Sequence, residues 1–167
     1  ELHAEDVDGK SQSAVLLDPN GAAFGLIPVV SAEAIAPTED DAARVGRIAW
    51  LDLTISDASA TRDFYRQVVG WTVTDVAMED AGERYADYSM LSDDGSSAAG
   101  VCHARGANLG IPPVWMLYLP VGDLAESIDR VREEGGTVIR ESRGTDGEYA
   151  YAVIRDPVGA CLALVPG

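Results

Sequence analysis

Two side chains of this sequence are the best candidates for acid–base chemistry, Asp52 and His103. Asp52 lies in the segment IAWLDLTI, where alternating residue types predict a strand with Trp50, Asp52 and Thr54 on one face. A carboxyl group among apolar side chains has a raised pKa and can act as an acid or a base. An Asp that is simply hydrogen-bonded to neighbouring strands or to an arginine is an equally consistent interpretation.

The chain has two histidines, and each gives a weak signal. His103 lies in the segment GVCHARG, at the end of a predicted strand, and could be a general base or a ligand, although a single histidine is more often a polar residue at a strand end. His3 lies in residues 1–13, which are polar and are predicted to be loose. Arg105 could meet an anionic ligand, but the excess of acidic residues favours an ion pair with Asp or Glu.

Other kinds of catalytic centre have little support in the sequence. Cys102 and Cys161 are far apart and lie within apolar strand patterns, which predicts buried, reduced thiols rather than a disulfide or a catalytic pair. The sequence contains no G-x-S-x-G, no P-loop, no C-x-x-C and no G-x-G-x-x-G after a strand.

The charge balance excludes several classes of partner. The 167 residues include 28 acidic and 12 basic side chains, for a net charge of -16, and such a chain repels nucleic acids and anionic membranes. No apolar run approaches the roughly 18 residues that a membrane-spanning helix requires. No leader with a basic and then an apolar part is visible either. We therefore expect a cytoplasmic protein without nucleic-acid or membrane partners.

The elements that must position these residues follow the same order twice. The first series predicts a strand at 48–55, a helix ending at Gly70, and strands at 71–77, 85–91 and 98–103. An apolar stripe with helical spacing indicates the helix, formed by Thr61, Phe64, Tyr65 and Val68.

The second series begins 66 residues later and repeats this order. It predicts a strand at 114–121, a helix that begins with the capping pair Asp123 and Glu126, and three further strands, 137–141, 149–155 and 160–165. The periodicity and the turn signals therefore predict two tandem βαβββ modules.

A second repeat links the two ends of the chain. Residues 14–28 (AVLLDPNGAAFGLIP) and 152–166 (AVIRDPVGACLALVP) share eight of fifteen residues at a constant offset of 138. Each copy predicts two strands joined by a tight Asp-Pro-x-Gly turn. We therefore expect an N-terminal arm with a β-hairpin in residues 1–30, a linker at 31–46, and the main domain at 47–167 with modules 47–108 and 112–167.

Two tandem βαβββ modules resemble the vicinal oxygen chelate superfamily, which includes glyoxalase I, bleomycin-binding resistance proteins and extradiol dioxygenases. Three segments carry the resemblance: LTISDASATRDFYRQVVGW, LPVGDLAESIDRVREEGG and YAVIRDPVGACLALVPG. The resemblance implies an α+β fold whose two modules form one cup-shaped mixed sheet, to which this chain adds an N-terminal hairpin. It also implies that residues 14–28 are similar to the end of a preceding glyoxalase-like domain. The alternative is that the hairpin is native here and adds strands to a sheet edge.

Enzymes of this superfamily generally hold a divalent metal in the cup, and the resemblance implies where its ligands would lie. Those positions fall on Trp50, Met116 and Ala163, with a further place near Gly100. None of these residues binds a hard divalent cation. We therefore expect no metal and no other cofactor, so that a divalent metal enters only under an enzymatic alternative.

The resemblance and these substitutions together favour a metal-free cup that binds a small organic molecule, as the bleomycin-type sequestering members do. The expected ligand-binding residues are Trp50, Asp52, Thr54, Met116, Tyr118 and Tyr151. The alternative is a lyase, an isomerase or a dioxygenase-like enzyme that uses Asp52 and His103 or a metal at non-standard positions. A third possibility is a structural or regulatory half of a two-domain protein. Members of the family often dimerise, which makes a homodimer plausible.

Overall fold

The structure is a computed structural model that describes residues 2–29 and 45–167. The chain divides into two compact units, Glu1–Ala42 and Ala43–Gly167, which are described separately. The linker predicted at 31–46 lies mostly outside the described residues.

The first unit contains a three-stranded sheet in the order β1-β2-β3. Its strands are β1 (Leu2–Glu5), β2 (Ser11–Leu17) and β3 (Ala23–Leu26), and both pairings are antiparallel. The predicted hairpin is confirmed as β2–β3. In its turn, the Asp18 carboxylate accepts hydrogen bonds from the backbone N–H groups of Asn20 and Ala22 at 2.8 and 2.9 Å, and Gly21 adopts a φ of 88°.

The prediction that residues 1–13 are loose is wrong, because β1 pairs with β2 along its whole length. The turn between these strands is held by Asp6, whose Oδ1 accepts hydrogen bonds from the backbone N–H groups of Asp8 and Lys10, both at 2.9 Å. Gly9 supplies the positive φ that closes the turn. The segment Asp6–Lys10 is therefore a turn signal within a polar stretch.

The second unit is built on one eight-stranded mixed sheet in the order β5-β6-β7-β4-β8-β11-β10-β9. The first module contributes β4 (Trp50–Ile55), α1 (Ala58–Val68), β5 (Thr72–Asp80), β6 (Glu83–Leu91) and β7 (Ser97–His103). The second contributes β8 (Trp115–Val121), α2 (Leu124–Glu133), β9 (Thr137–Arg143), β10 (Tyr149–Arg155) and β11 (Cys161–Pro166). The prediction of two tandem βαβββ modules in an α+β fold is therefore confirmed.

The first strands of the modules meet in the middle of this sheet. β4 and β8 pair antiparallel with each other, while β7 runs parallel to β4 and β11 runs parallel to β8. The pairing places the same element of each module in an equivalent position on either side of the centre. Structurally equivalent positions of the two modules therefore lie next to each other on the central strands β4 and β8.

Both helices begin at an aspartate cap, and the cap of α2 is the predicted Asp123. The Asp57 carboxylate accepts a hydrogen bond from the backbone N–H of Ala60 at 3.0 Å, and Asp123 accepts one from Glu126 at 2.9 Å. The capping box is incomplete, because the Glu126 side chain lies 3.4 Å from Arg130 in an ion pair.

One face of the sheet is covered by helix. On that face of module 2, the buried side chains of α2 pack against β10 and β11, in a cluster of Leu124, Ile128, Ala152, Ile154 and Leu164. No helix in the described ranges 2–29 and 45–167 is long and apolar enough to cross a membrane.

Candidate functional site

The candidate site lies on the sheet face opposite this helix-packed cluster, where four central positions form two neighbouring pairs. Trp50 is paired with Tyr118, and Asp52 is paired with Met116, across the β4–β8 contact. An offset of 66 residues relates Trp50 to Met116 and Asp52 to Tyr118. The structure therefore brings together four of the six residues predicted to bind a ligand.

Asp52 is held by the side chain two positions before it. The indole Nε1 of Trp50 donates a hydrogen bond to Asp52 Oδ1 at 2.6 Å, and Tyr118 and the backbone of Gly100 lie close enough to the carboxyl group to lower its pKa. Since the Trp50 ring is fixed by its neighbour two positions along the same strand, the indole and the carboxylate form one unit.

Gly100 supplies the space that this carboxylate occupies. Asp52 and Gly100 are neighbours in the parallel β4–β7 pairing, and a Cβ built on Gly100 would lie 2.0 Å from Asp52 Oδ1. Any side chain at position 100 would displace the carboxylate. In module 2 the equivalent parallel neighbours are Tyr118 and Ala163, where a methyl group is tolerated.

Burial raises the pKa of Asp52 above its ordinary value, because the charged form loses water. The negative charge of Asp87 raises this pKa further, whereas the hydrogen bonds from Trp50, Tyr118 and Gly100 act against the rise. Asp52 is therefore a buried carboxyl group whose proton is retained to a higher pH than that of an exposed Asp.

Beside Asp52 there is a cavity of about 370 Å³, here called the module-1 cavity. Its apolar wall includes Trp50, Val76 and Met78, and its polar side includes Asp52 and Asp87. The remaining lining residues are Tyr88, Ser89, Gly100, Cys102 and Asn108. This volume falls in the range of about 300–1,000 Å³ that is typical of small-molecule sites.

Asp87 is a residue of this site that the sequence did not single out. It is only 3% exposed, and its Oδ1 accepts a hydrogen bond from the backbone N–H of His103 at 2.8 Å. The same oxygen lies 3.1 Å from Nδ1 of the His103 ring. The available signal was an Asp in the middle of the apolar strand segment YADYSML, which favours burial with a partner over a solvated position.

His103 lies apart from Asp52, although both were predicted as candidate catalytic residues. It is paired with Ile55, three positions along β4 from Asp52, and it is not among the residues that line the module-1 cavity. Its ring contacts Asp87, Tyr85 and Tyr88. Of these three residues, Asp87 and Tyr88 also line the cavity, and Asp87 is within hydrogen-bond distance of the His103 ring.

The remaining predicted ligand-binding residues lie in packed surroundings. Thr54 is 5% exposed and is the β4 neighbour of Cys102. In module 2, the same face is filled by a cluster that Ile111 covers from the loop before β8, with Met116, Val153 and Ala163 buried beneath it. Tyr118 and Tyr151 pack against this cluster. The cavity is therefore confined to module 1.

Two further groups have pKa values that limit their chemistry. Burial, followed by the negative charge of Asp52, raises the pKa of the Cys102 thiol and that of the Tyr118 hydroxyl. Both groups are therefore neutral at physiological pH, and Cys102 is a poor nucleophile. Cys102 and Cys161 are both free thiols, but they are half-buried, so the prediction that they are buried is wrong.

Arg105 forms the predicted ion pair with acidic residues. Its Nη2 lies 3.0 Å from Glu83, its Nε lies 3.4 Å from Asp80, and its guanidinium group stacks over Tyr85 at 4.4 Å. These partners hold the side chain at the rim of the sheet.

The donor set at the centre of the sheet does not fit a hard divalent metal. Indole, thioether and methyl groups occupy the positions at Trp50, Met116 and Ala163, and the carboxylate of Asp52 beside them is already hydrogen-bonded by Trp50. Within residues 2–29 and 45–167, no group of three or more His, Cys, Asp or Glu side chains is arranged to hold a metal ion.

The fold agrees with what comparison with known proteins shows. The model of the Glyoxalase/Bleomycin resistance protein/Dioxygenase superfamily matches residues 47–164. The chain therefore belongs to this superfamily, the one that its βαβββ modules resemble.

Individual relatives are similar over the same part of the chain. CFP32 of Mycobacterium tuberculosis, named as a provisional glyoxylase, is 32% identical over 122 residues, which are 72% of this chain and 46% of CFP32. The anthracycline biosynthesis protein DnrV of Streptomyces peucetius is 32% identical over 131 residues, covering 71% of this chain and 46% of DnrV. The chain thus spans about half the length of these relatives.

Among solved structures, methylmalonyl-CoA epimerase from Mycobacterium tuberculosis is similar at a TM-score of 0.42 and 17% identity. The match covers 82% of this chain and 96% of that one. A similarity of this size carries no conclusion about activity.

Proposed function

We propose that this protein binds a small, flat organic molecule in the module-1 cavity and sequesters it without a metal, in the manner of bleomycin-resistance proteins. The observation that carries the proposal is the cavity of about 370 Å³ beside Trp50 and Asp52, at the place where metal-dependent members would hold their ion. An apolar wall with a few fixed polar groups is suited to holding a planar ligand by shape and by hydrogen bonds.

The Trp50–Asp52 pair provides the polar anchor in this proposal. The indole is oriented by its 2.6 Å hydrogen bond to the carboxylate, so its ring is held in place before a ligand arrives. Val76 and Met78 provide the facing apolar surface. The similarity to an anthracycline biosynthesis protein makes planar polycyclic compounds the first class to examine.

The test is a fluorescence titration of the purified chain with two planar dyes, neutral dihydroxyanthraquinone and cationic proflavine. We expect saturable binding of at least one dye. Trp50→Ala should abolish this binding, and Asp52→Asn should leave it nearly intact, because the Asn carbonyl can still accept the indole hydrogen bond. Val114→Ala, at a position outside the cavity lining, is the matched control. Binding that survives Trp50→Ala unchanged would place the ligand elsewhere and refute the proposal.

A second candidate function is acid–base catalysis on the bound molecule. The observation in its favour is the raised pKa of Asp52 next to the Asp87–His103 contact. A lyase or isomerase would then use Asp52 as the proton donor or acceptor. This candidate predicts that Asp52→Asn retains dye affinity but no longer converts the bound compound. The conversion is measured by mass spectrometry of that compound after incubation with the wild type and with the variant.

A further inference from the structure

The polar side of the module-1 cavity carries two carboxyl groups, those of Asp52 and Asp87. Among the described residues that line this cavity there is no Lys, Arg or His. The register of the sheet explains the arrangement, because Asp52 and Ser89 are both paired with Gly100, and Asp87 lies two positions from Ser89 on the same face of β6. The two carboxyl groups therefore reach the cavity from strands that are about 10 Å apart.

The arginines beside the cavity have acidic partners of their own. Arg62 stacks over the ring of Tyr88 at 4.4 Å, and its Nε donates a hydrogen bond to Asp63 at 3.0 Å. Arg105 is likewise paired with Glu83, at 3.0 Å. Because each guanidinium group lies against a carboxylate, neither one offsets the negative charge at the cavity.

The two carboxyl groups of the cavity have different roles. Burial raises the pKa of Asp52, and its Oδ1 accepts the hydrogen bond that orients the Trp50 indole. Asp87 is 3% exposed, and both of its contacts with His103, to the backbone N–H and to the ring, are made by Oδ1. Little water reaches Asp87, so its charge is weakly screened and acts strongly on whatever occupies the cavity. Asp87 is therefore the group whose charge a ligand would meet.

We propose that the module-1 cavity selects planar organic cations, and that Asp87 is the residue that sets this preference. The inference rests on the proposed function, since it names the class of ligand for the same cavity. A positively charged ring would stack against the Trp50 indole, which attracts cations through its face, and would bring its charge close to Asp87. A neutral ring would gain nothing from Asp87, and a planar anion would be repelled by it.

Titration of proflavine and of neutral dihydroxyanthraquinone into the whole chain tests this inference. The salt concentration is about 0.15 M, where the Debye length of about 8 Å screens the long-range attraction of a chain with a net charge of -16. Asp87→Asn should weaken proflavine binding about fivefold or more and change the affinity for the neutral dye less than about twofold. The neutral dye thus separates a lost charge from a distorted cavity. The matched control is Asp93→Asn, which removes the same charge at an exposed turn position outside the cavity lining and should alter neither affinity.

A second pair of variants adds a charge and leaves Asp87 in place, so that the test does not depend on the folding of Asp87→Asn. Asn108→Lys introduces a positive charge into the cavity lining, and it should weaken proflavine binding about fivefold or more. Leu109→Lys is the control, because it adds the same charge one residue further on, at a position that is 68% exposed and outside the lining. It should change proflavine binding by less than about twofold.

Three results would overturn this inference and leave the proposed function standing, provided that Trp50→Ala still abolishes dye binding. The first is a wild type that binds only the neutral dye. The second is proflavine binding that Asp87→Asn or Asn108→Lys leaves unchanged. The third is an equal loss of both dyes in Asp87→Asn, which would make Asp87 a support of the cavity wall. The proposed function fails in a different way, by binding of neither dye or by binding that survives Trp50→Ala, and this inference then fails with it.

Discussion

The two halves of the central sheet carry equivalent strands but differ in what fills the face opposite the α2 cluster. In module 1 this face is open and includes the cavity beside Asp52. In module 2 it is filled by a buried cluster of Ile111, Met116, Val153 and Ala163. The modules therefore share a backbone plan but differ in the side chains that fill this face.

The central positions show how the two halves diverged chemically. Where module 1 places Asp52 against Gly100, module 2 places Tyr118 against Ala163. The carboxylate needs the space of a missing Cβ, whereas the Tyr118 ring packs into the apolar cluster. Module 1 therefore has a polar, buried centre, and module 2 has an apolar one.

One of the two largest expected effects comes from filling the space at Gly100. In Gly100→Ala the new Cβ would lie 2.0 Å from Asp52 Oδ1, so the carboxylate must leave its hydrogen bonds with Trp50. We expect the free energy of unfolding to fall by about 2–3 kcal/mol, as measured by urea denaturation.

The control for this substitution is Gly122→Ala, where a Cβ meets nothing within 4 Å. It should change the free energy of unfolding by less than about 0.5 kcal/mol. If both variants lose equal stability, the loss at position 100 comes from replacing a glycine as such. It would then not come from a clash between the new Cβ and the Asp52 carboxylate.

The next effect tests whether Ile111 closes module 2. Ile111 is 8% exposed and covers the apolar cluster, so Ile111→Ala should lower the free energy of unfolding by about 2–4 kcal/mol. Met78 lines the open cavity, and Met78→Ala should cost less than about 1 kcal/mol because its side chain already borders empty space.

Dye binding should show the opposite order. Met78→Ala removes part of the cavity wall and should weaken binding, while Ile111→Ala should leave it unchanged, provided that measurements are made at a temperature where both variants are folded. Equal effects of the two substitutions on stability would mean that the two halves are packed alike.

The sequence predicted the elements of both halves because their signals are local. Asp57 and Asp123 mark the helix starts, and the apolar alternation from 48 to 55 marks the central strand. The strand β1 was missed because it has only four residues, all of them exposed, so that its order depends on the Asp6 turn and on pairing with β2. Neither this turn nor this strand pairing produces a periodic pattern in the sequence.

It was harder to predict which side chains line the cavity of module 1 and which form the cluster of module 2. Trp50 and Asp52 were placed together by their spacing on one strand, but Asp87 lies on another strand and meets the site only through sheet pairing. Ile111 belongs to a loop, where no periodicity indicates which way a side chain packs. His103 was singled out for its chemistry, and its contact with Asp87 rather than Asp52 follows from the register of β7.

A smaller effect concerns the pH dependence of stability. Because the pKa of Asp52 is raised in the folded state, mainly by burial, the folded protein binds a proton more tightly than the unfolded chain does. The stability contributed by this group is therefore present below the unfolded pKa of 3.8 and is lost as the pH rises through the folded value.

Asp52→Asn should remove this component. The difference in unfolding free energy between the wild type and Asp52→Asn, measured in urea from acid to neutral pH, should decline through that window and then level off. Asp87→Asn should shift the decline to lower pH, because the charge of Asp87 contributes to the raised pKa of Asp52. A difference that is constant with pH would show that Asp52 titrates alike in both states.

The smallest effect is kinetic and concerns Cys102, which lines the open half of the face. Burial raises the pKa of its thiol, and the charges of Asp52 and Asp87 raise it further, so the reactive thiolate is scarce. On a Cys161→Ser background, alkylation by iodoacetamide at about pH 8 should be roughly tenfold slower than for free cysteine. Adding Asp52→Asn should accelerate it a few-fold, because one of the opposing charges is gone. If the rate did not respond to Asp52→Asn, access of the reagent rather than charge would limit the reaction, and the polar character of the module-1 cavity would not extend to this thiol.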